Sequence, residues 1–308
     1  MTVIFDTHVI VDWSARSKPS PKRPSKDAIW FSLGRDGSPS EPVYCRTRDH
    51  AMTKLADLLA DEVAHKRRVL IGFDFPFGYP AGVAKRICGS DRALDLWAWF
   101  ANAVTDRPDN QSNRFDVAAQ INRLYDGTGP FWGRPKTWDV PDVPTRASAR
   151  NGDDHPPEHR LADARAKGAK TIWQLAYAGS VGSQVIVGLP ALQRLRADPR
   201  LSECIAVWPF QTGLTYPDAQ VVIAEIYPSL LQAQAHSAKR RDEVLDSAQV
   251  RVNAQAFSRL DRLGGLIPLF AGTEDLSAAE RAVIEGEEAW ILGLGHEAAL
   301  QNAALEAA

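Results

Sequence analysis

The stretch VLIGFDFPF (69–77) decides the fold. Its first residues are apolar without alternation, the pattern of a strand covered on both faces, as in a parallel sheet flanked by helices. An acid, Asp74, stands inside the run. Beyond it Pro76 and Pro80 remove backbone donors, and Gly78 between them permits a tight turn. Two other apolar runs carry an acid in the same way: HVIV (8–11) is followed by Asp12, and VVIAE (221–225) ends in Glu225. An unpaired carboxylate in a buried sheet is costly or takes up a proton. Three acids so placed point to a shared cation. The competing reading is that each one faces solvent, caps a helix or pairs with an arginine.

Working outward, residues 49–66 repeat Ala51, Leu55, Leu58, Leu59 and Val63 at helical spacing, with Thr47 or Asp49 able to cap the start. Before this helix lie three strand-like runs, 8–15, 28–33 and 42–47, the second and third joined by the turn-forming GRDGSPS (34–40). Short connections favour an antiparallel meander. After VVIAEIYPSLL (221–231), residues 242–260 set Val244, Ala248, Val252, Ala256 and Leu260 on one helical face. The order βββαβ, a helical excursion, then β and α predicts an α/β fold. It is the ribonuclease H-like plan, a mixed sheet of three antiparallel strands followed by parallel ones, flanked by helices. Residues 1–80 and 221–308 form the expected core and 81–220 a large, mainly helical insertion, with CIAVWPF (204–210) as a candidate strand. Within the insertion, 128–157 reads as a long loop rich in Pro, Gly, Trp and Arg, a length that usually carries function or disorder.

Composition narrows the classes. With 44% hydrophobic and 24% charged residues the chain is an ordinary globular one, so disorder does not dominate. No apolar run approaches the roughly 18 residues that span a bilayer, and the N-terminus lacks a signal-peptide pattern, so no membrane partner and a cytoplasmic location are expected. Cys45, Cys88 and Cys204 are odd in number and far apart, which supports neither a disulfide framework nor a zinc knuckle. A net charge of −2 excludes a global basic field, so nucleic acid would need a local patch.

Carboxylates and water are the preferred ligands of Mg²⁺ or Mn²⁺, ions that activate water and stabilise a leaving oxygen in phosphodiester hydrolysis. Asp12 and Asp74, on strands expected to be neighbours, are the first two candidate ligands and Glu225 the third. Asp242 or Asp246 completes the set; Asp246 is preferred because it lies within the helix and follows an apolar residue. Asp57, Asp61 and Glu62 read as a solvated helix face. Trp13, Phe75, Phe77 and Tyr79 form either an aromatic wall for a planar ring or a plug closing the end of the sheet. The insertion adds Arg114, Arg134, Lys136, Arg146, Arg150, Arg160 and Lys170 interleaved with Trp132, Trp138 and Trp173. This set suits phosphate and base contacts, Arg160 and Lys170 among them, or staples the loop to its own domain. In YAGSVGSQ (177–184) small residues at a helix start leave N–H groups that can hold a phosphate, or simply allow close packing. NGDDHPPEH (151–159) places His155 and His159 among acids, but its prolines argue for a loop rather than a metal site.

The runs VDWSA (11–15), GFDFPFGYP (72–80), KTIWQLAYAGSVGSQ (170–184) and EIYPSLL (225–231) together resemble an uncharacterised bacterial family of predicted ribonuclease H-like nucleases. The resemblance spans most of the chain. It implies a ribonuclease H-like fold and a metal-dependent nuclease or phosphoesterase using Mg²⁺ or Mn²⁺, with nucleic acid or a phosphorylated small molecule as partner. A nucleotide- or cofactor-acting phosphotransferase-like enzyme on the same fold is the alternative. A catalytically silent binding protein is the third reading.

Overall fold

Among residues 3–305, which the computed structural model describes, seven strands form one mixed sheet. They are β1 (Thr7–Asp12), β2 (Ile29–Arg35), β3 (Ser38–Pro39), β4 (Val43–Cys45), β5 (Val69–Phe73), β6 (Ile205–Val207) and β7 (Val221–Glu225). The order is β3-β2-β1-β5-β7-β6, with β4 also on β2. β2 runs antiparallel to β1, and β3 and β4 antiparallel to β2. β1, β5, β7 and β6 are mutually parallel. The expected third strand, 42–47, is shortened to β4, and the expected turn 34–40 contributes the two-residue β3, both along β2. The fold is α/β, a mixed sheet flanked by helices. The ends of the expected core, residues 1–2 and 306–308, lie outside the described residues.

Ten α-helices are seen in the same span: α1 (Arg48–Ala64), α2 (Val83–Cys88), α3 (Ala93–Ala103), α4 (Arg114–Asn122), α5 (Leu161–Arg165), α6 (Gly182–Arg196), α7 (Gln232–Ala238), α8 (Leu245–Arg262), α9 (Ala278–Val283) and α10 (Glu297–Leu305). α1 begins where the Thr47 hydroxyl accepts the His50 N–H at 3.2 Å, a side-chain N-cap. Residues 166–181, expected to be mainly helical, are irregular, and a helix resumes only at Gly182.

Strand side chains alternate between faces, and the shared register sorts them into two sets. Val9, Val11, Ile71, Phe73, Val221 and Ile223 pack with Leu55 and Leu59 of α1, Trp97 and Phe100 of α3, and Ile186 and Leu189 of α6. Ile10, Leu70, Val222 and Ala224 pack on the other face with Val250, Ala254 and Phe257 of α8 and with Phe270 and Trp290. Residues between β5 and β7 therefore share the first of these cores with the sheet. They also supply β6, which joins the sheet edge outside β7. Close approach fixes α6 over the turn after β5: a Cβ on Gly188 would lie 2.5 Å from ring carbons of Phe75.

Candidate functional site

The acidic site arises at the carboxyl ends of β1 and β5. Val11 pairs with Phe73, and the Asp74 N–H still reaches the Val11 carbonyl at 3.3 Å before the two chains part. The Asp74 carboxylate then accepts the Trp13 N–H at 2.7 Å. Asp12, one residue past the register of Val11, belongs to the sheet face that α8 covers, and Asp246 stands in the first turn of α8. Asp246 is itself fixed by the Asp27 N–H at 2.8 Å. All three acids are half-buried.

Asp12 and Asp74 lie within hydrogen-bonding reach of each other. Burial, then the charges of Asp74 and Asp246, hold the Asp12 pKa well above the usual carboxylate range. Burial pushes Asp74 up to about 7 against the opposing Trp13 N–H bond, and burial also raises Asp246. Near neutrality the pair resists holding two negative charges, so a shared proton or a cation relieves it.

Asp12 lines a cleft of about 630 Å³, with Asp246 and Lys26; Arg114, Tyr177–Ser180, Ser183 and Gln184 line it as well. Gln184 Nε2 donates to the Trp13 carbonyl at 2.8 Å, tying the start of α6 to the chain just past β1. Arg114 is 6% exposed, and burial, with the nearby Arg48 charge, lowers its pKa to about 10. Tyr177 sits at the rim, 61% exposed and with φ +76°, a conformation that bulky residues rarely adopt.

Glu225 is not part of this cluster. It pairs level with Phe73, so its side chain leaves the sheet on the face opposite Asp12. There the buried Arg160 guanidinium donates to both its oxygens, at 2.6 and 2.8 Å, and the Phe77 N–H adds a bond at 2.9 Å. The expected third ligand is therefore an ion-pair partner, and a one-residue offset along the pleat is the reason. Arg160 is correspondingly not a substrate contact: it is fully buried between Glu225 and Asp163 and donates to the Glu288 carbonyl. Trp13, Phe75, Phe77 and Tyr79 are each at most 1% exposed, so they offer no stacking face. Trp13, Phe73, Phe75, Phe77 and Trp97 pack in series at centroid distances of 5.5–6.2 Å, the sheet-end plug. Lys170 is exposed in a different cavity, its stem beside Gly179. Asp242 is exposed and does not line the cleft. Asp57 and Asp61 do lie on the surface, but Glu62 is buried, holding Thr7, Arg35 and Arg67. In the 151–159 loop Asp154 pairs with Arg86, and His155 packs against Tyr125.

Among the described residues no group of three or more His, Cys, Asp or Glu side chains is arranged to hold a metal ion. The donor chemistry fits a narrower case, an ion such as Mg²⁺ that takes one or two carboxylates and keeps several waters. Asp12 and Asp74 would supply those carboxylates. No helix among the described residues is long and apolar enough to cross a membrane. No protein-family model, curated protein or solved structure matches the chain.

Sequence reasoning put Arg114 only within a broad basic set and passed over Tyr177 and Gln184 as individual residues. The small-residue run 177–184 was the signal for this part of the cleft. Nothing local in the sequence tells that it shares a cleft with Asp12.

Proposed function

We propose that the chain is a divalent-metal-dependent phosphoesterase or nuclease of ribonuclease H-like type, with Asp12 and Asp74 as its working carboxylates and Asp246 beside them. The observation that carries this reading is the Asp12–Asp74 carboxyl pair, held at the ends of adjacent parallel strands, with Asp12 lining a cleft. The antiparallel meander that passes through α1 into a strand parallel to β1 supports the ribonuclease H-like assignment. So does the resemblance in VDWSA and GFDFPFGYP.

When bound, Mg²⁺ or Mn²⁺ supplies Lewis-acid polarisation of a phosphoryl oxygen and activation of water. The Trp13 N–H fixes one oxygen of Asp74, and Asp74 and Asp12 would hold the ion. Asp246 adds negative potential that favours positive charge at the pair, a proton or a cation alike. Within this class the cleft favours a small phosphorylated molecule or nucleotide over a long strand. Its volume of about 630 Å³ falls in the range of small-molecule pockets, roughly 300–1,000 Å³.

The test is Mn²⁺ titration by calorimetry, together with hydrolysis assays on nucleotides, phosphomonoesters, DNA and RNA. Wild type should bind Mn²⁺ and hydrolyse a phosphorylated substrate, and Asp12→Asn should lose both while keeping its circular dichroism. Undiminished metal-dependent hydrolysis by Asp12→Asn removes Asp12 from the mechanism.

A further inference from the structure

Four arginines among the described residues are less than one-tenth exposed: Arg48, Arg114, Arg160 and Arg251. Three of them hold carboxylates, Arg48 with Asp106, Arg160 with Asp163 and Glu225, and Arg251 with Glu243. Arg114 holds none. Its Nε donates to Ser183 Oγ at 3.0 Å, Nη1 to Ser112 Oγ at 3.1 Å and Nη2 to Ser17 Oγ at 2.9 Å, while the guanidinium lies 4.9 Å above the Phe115 ring. Asp106 acts on it only from beyond ion-pair distance, its carboxylate already held by Arg48. A guanidinium has five N–H donors, so two remain unused here, on a buried charge lacking a counter-ion.

The adjoining helix end is incomplete in the same sense. α6 has no side-chain cap. The Gly182 N–H goes to the Gln174 carbonyl at 2.9 Å, but the N–H groups of Ser183 and Gln184 find no acceptor among the described residues. Both residues line the cleft, as does Arg114. A helix N-terminus presents free donors and a positive dipole end, which suit an anion. Gly182 is required for this close seating, because a Cβ there would lie 2.4 Å from the Ile172 carbonyl oxygen.

We propose that Arg114 and the Ser183 and Gln184 N–H groups form a phosphate subsite, in the cleft that Asp12 also lines, which receives a phosphate group of the substrate. The assignment deepens the proposed function, since it names the substrate as an anion carrying phosphate, but its geometry does not depend on a metal. Ser17, Ser112 and Ser183 orient the guanidinium without neutralising it. The anion then supplies the missing counter-charge, and the planar fork can meet two phosphate oxygens.

The experiment is calorimetric titration of the full chain with inorganic phosphate in EDTA, for wild type, Arg114→Gln, Arg114→Lys and Ser180→Asp. Ser180 lines the cleft just before α6, so an aspartate there suits the helix dipole while repelling an anion. Wild type should bind phosphate, Arg114→Gln and Ser180→Asp should each weaken it on the order of 10- to 100-fold, and Arg114→Lys should weaken it less. Phosphate binding absent from wild type at tens of millimolar, or unchanged in Ser180→Asp, overturns the subsite. Where Arg114→Gln fails to fold, Ser180→Asp decides alone. Asp12→Asn and Asp74→Asn should bind phosphate in EDTA at least as well as wild type. Retained phosphate binding alongside unimpaired metal-dependent hydrolysis in those variants therefore removes the acid pair from the mechanism while leaving the subsite standing.

Discussion

Replacing Asp12 by asparagine should stabilise the metal-free protein. Burial first, and then the charges of Asp74 and Asp246, hold the Asp12 pKa well above the usual carboxylate range, and each unit of such a shift is worth about 1.4 kcal/mol. The acids are half-buried at a cleft open to water. Screening there leaves about 1–2 kcal/mol. The asparagine amide can still donate to Asp74, so the variant removes charge repulsion while keeping a bond. The sign follows from proton linkage. With a folded-state pKa above the unfolded one, the native protein binds more protons between about pH 4 and 7, so wild-type stability declines as pH rises through that window. The substituted amide does not titrate. Differential scanning calorimetry in EDTA should show the variant melting about 2–4 °C above wild type at pH 8, with the gap closing towards pH 4. Added Mn²⁺ should raise the melting temperature of wild type and not of the variant. A variant that melts at or below wild type at pH 8, or a gap that does not depend on pH, refutes the picture of a strained carboxyl pair.

Glu225→Gln, by contrast, strips a carboxylate from the buried Arg160 and should cost about 3 kcal/mol in urea unfolding. Its Mn²⁺ affinity should match wild type, and a stable variant with the metal defect of Asp12→Asn would return Glu225 to the metal site. Gly188→Ala drives a methyl into the Phe75 ring and should cost about 1–3 kcal/mol by the same assay, with partial recovery in the double variant carrying Phe75→Leu. Tyr177→Gly relieves a left-handed backbone and should raise stability by up to about 1 kcal/mol. If the ring stacks on substrate, that variant should lose affinity for nucleotides but not for inorganic phosphate, measured side by side in EDTA.

Much of the architecture was legible because each strand carried its own pattern. The unalternating VLIGF and VVIAE marked buried parallel strands, and the four-residue spacing of Ala51, Leu55 and Leu59 marked α1. Of the two late acids, Asp246 lies in the first turn of α8 and lines the cleft, whereas Asp242 precedes the helix and is exposed. Glu225 was misread because its strand pattern matches that of an active-site acid, and the face it takes depends on the pairing of Glu225 with Phe73. That register is a long-range fact. The aromatics after Asp74 were ambiguous for the same reason: FDFPFGYP has the same sequence whether its rings face solvent or, as here, Trp97 and α6. Arg114 stood unmarked among many arginines, and only the partners gathered from Ser17, Ser112 and Ser183 single it out.

The bond from Gln184 to the Trp13 carbonyl has a consequence for ligand binding. One of its ends adjoins Asp12 at the tip of β1 and the other lies in the first turn of α6, and the Arg114 bond to Ser17 joins the same stretch of chain to the start of α4. A ligand that displaces the chain past β1 must therefore draw both helix starts with it or break these bonds.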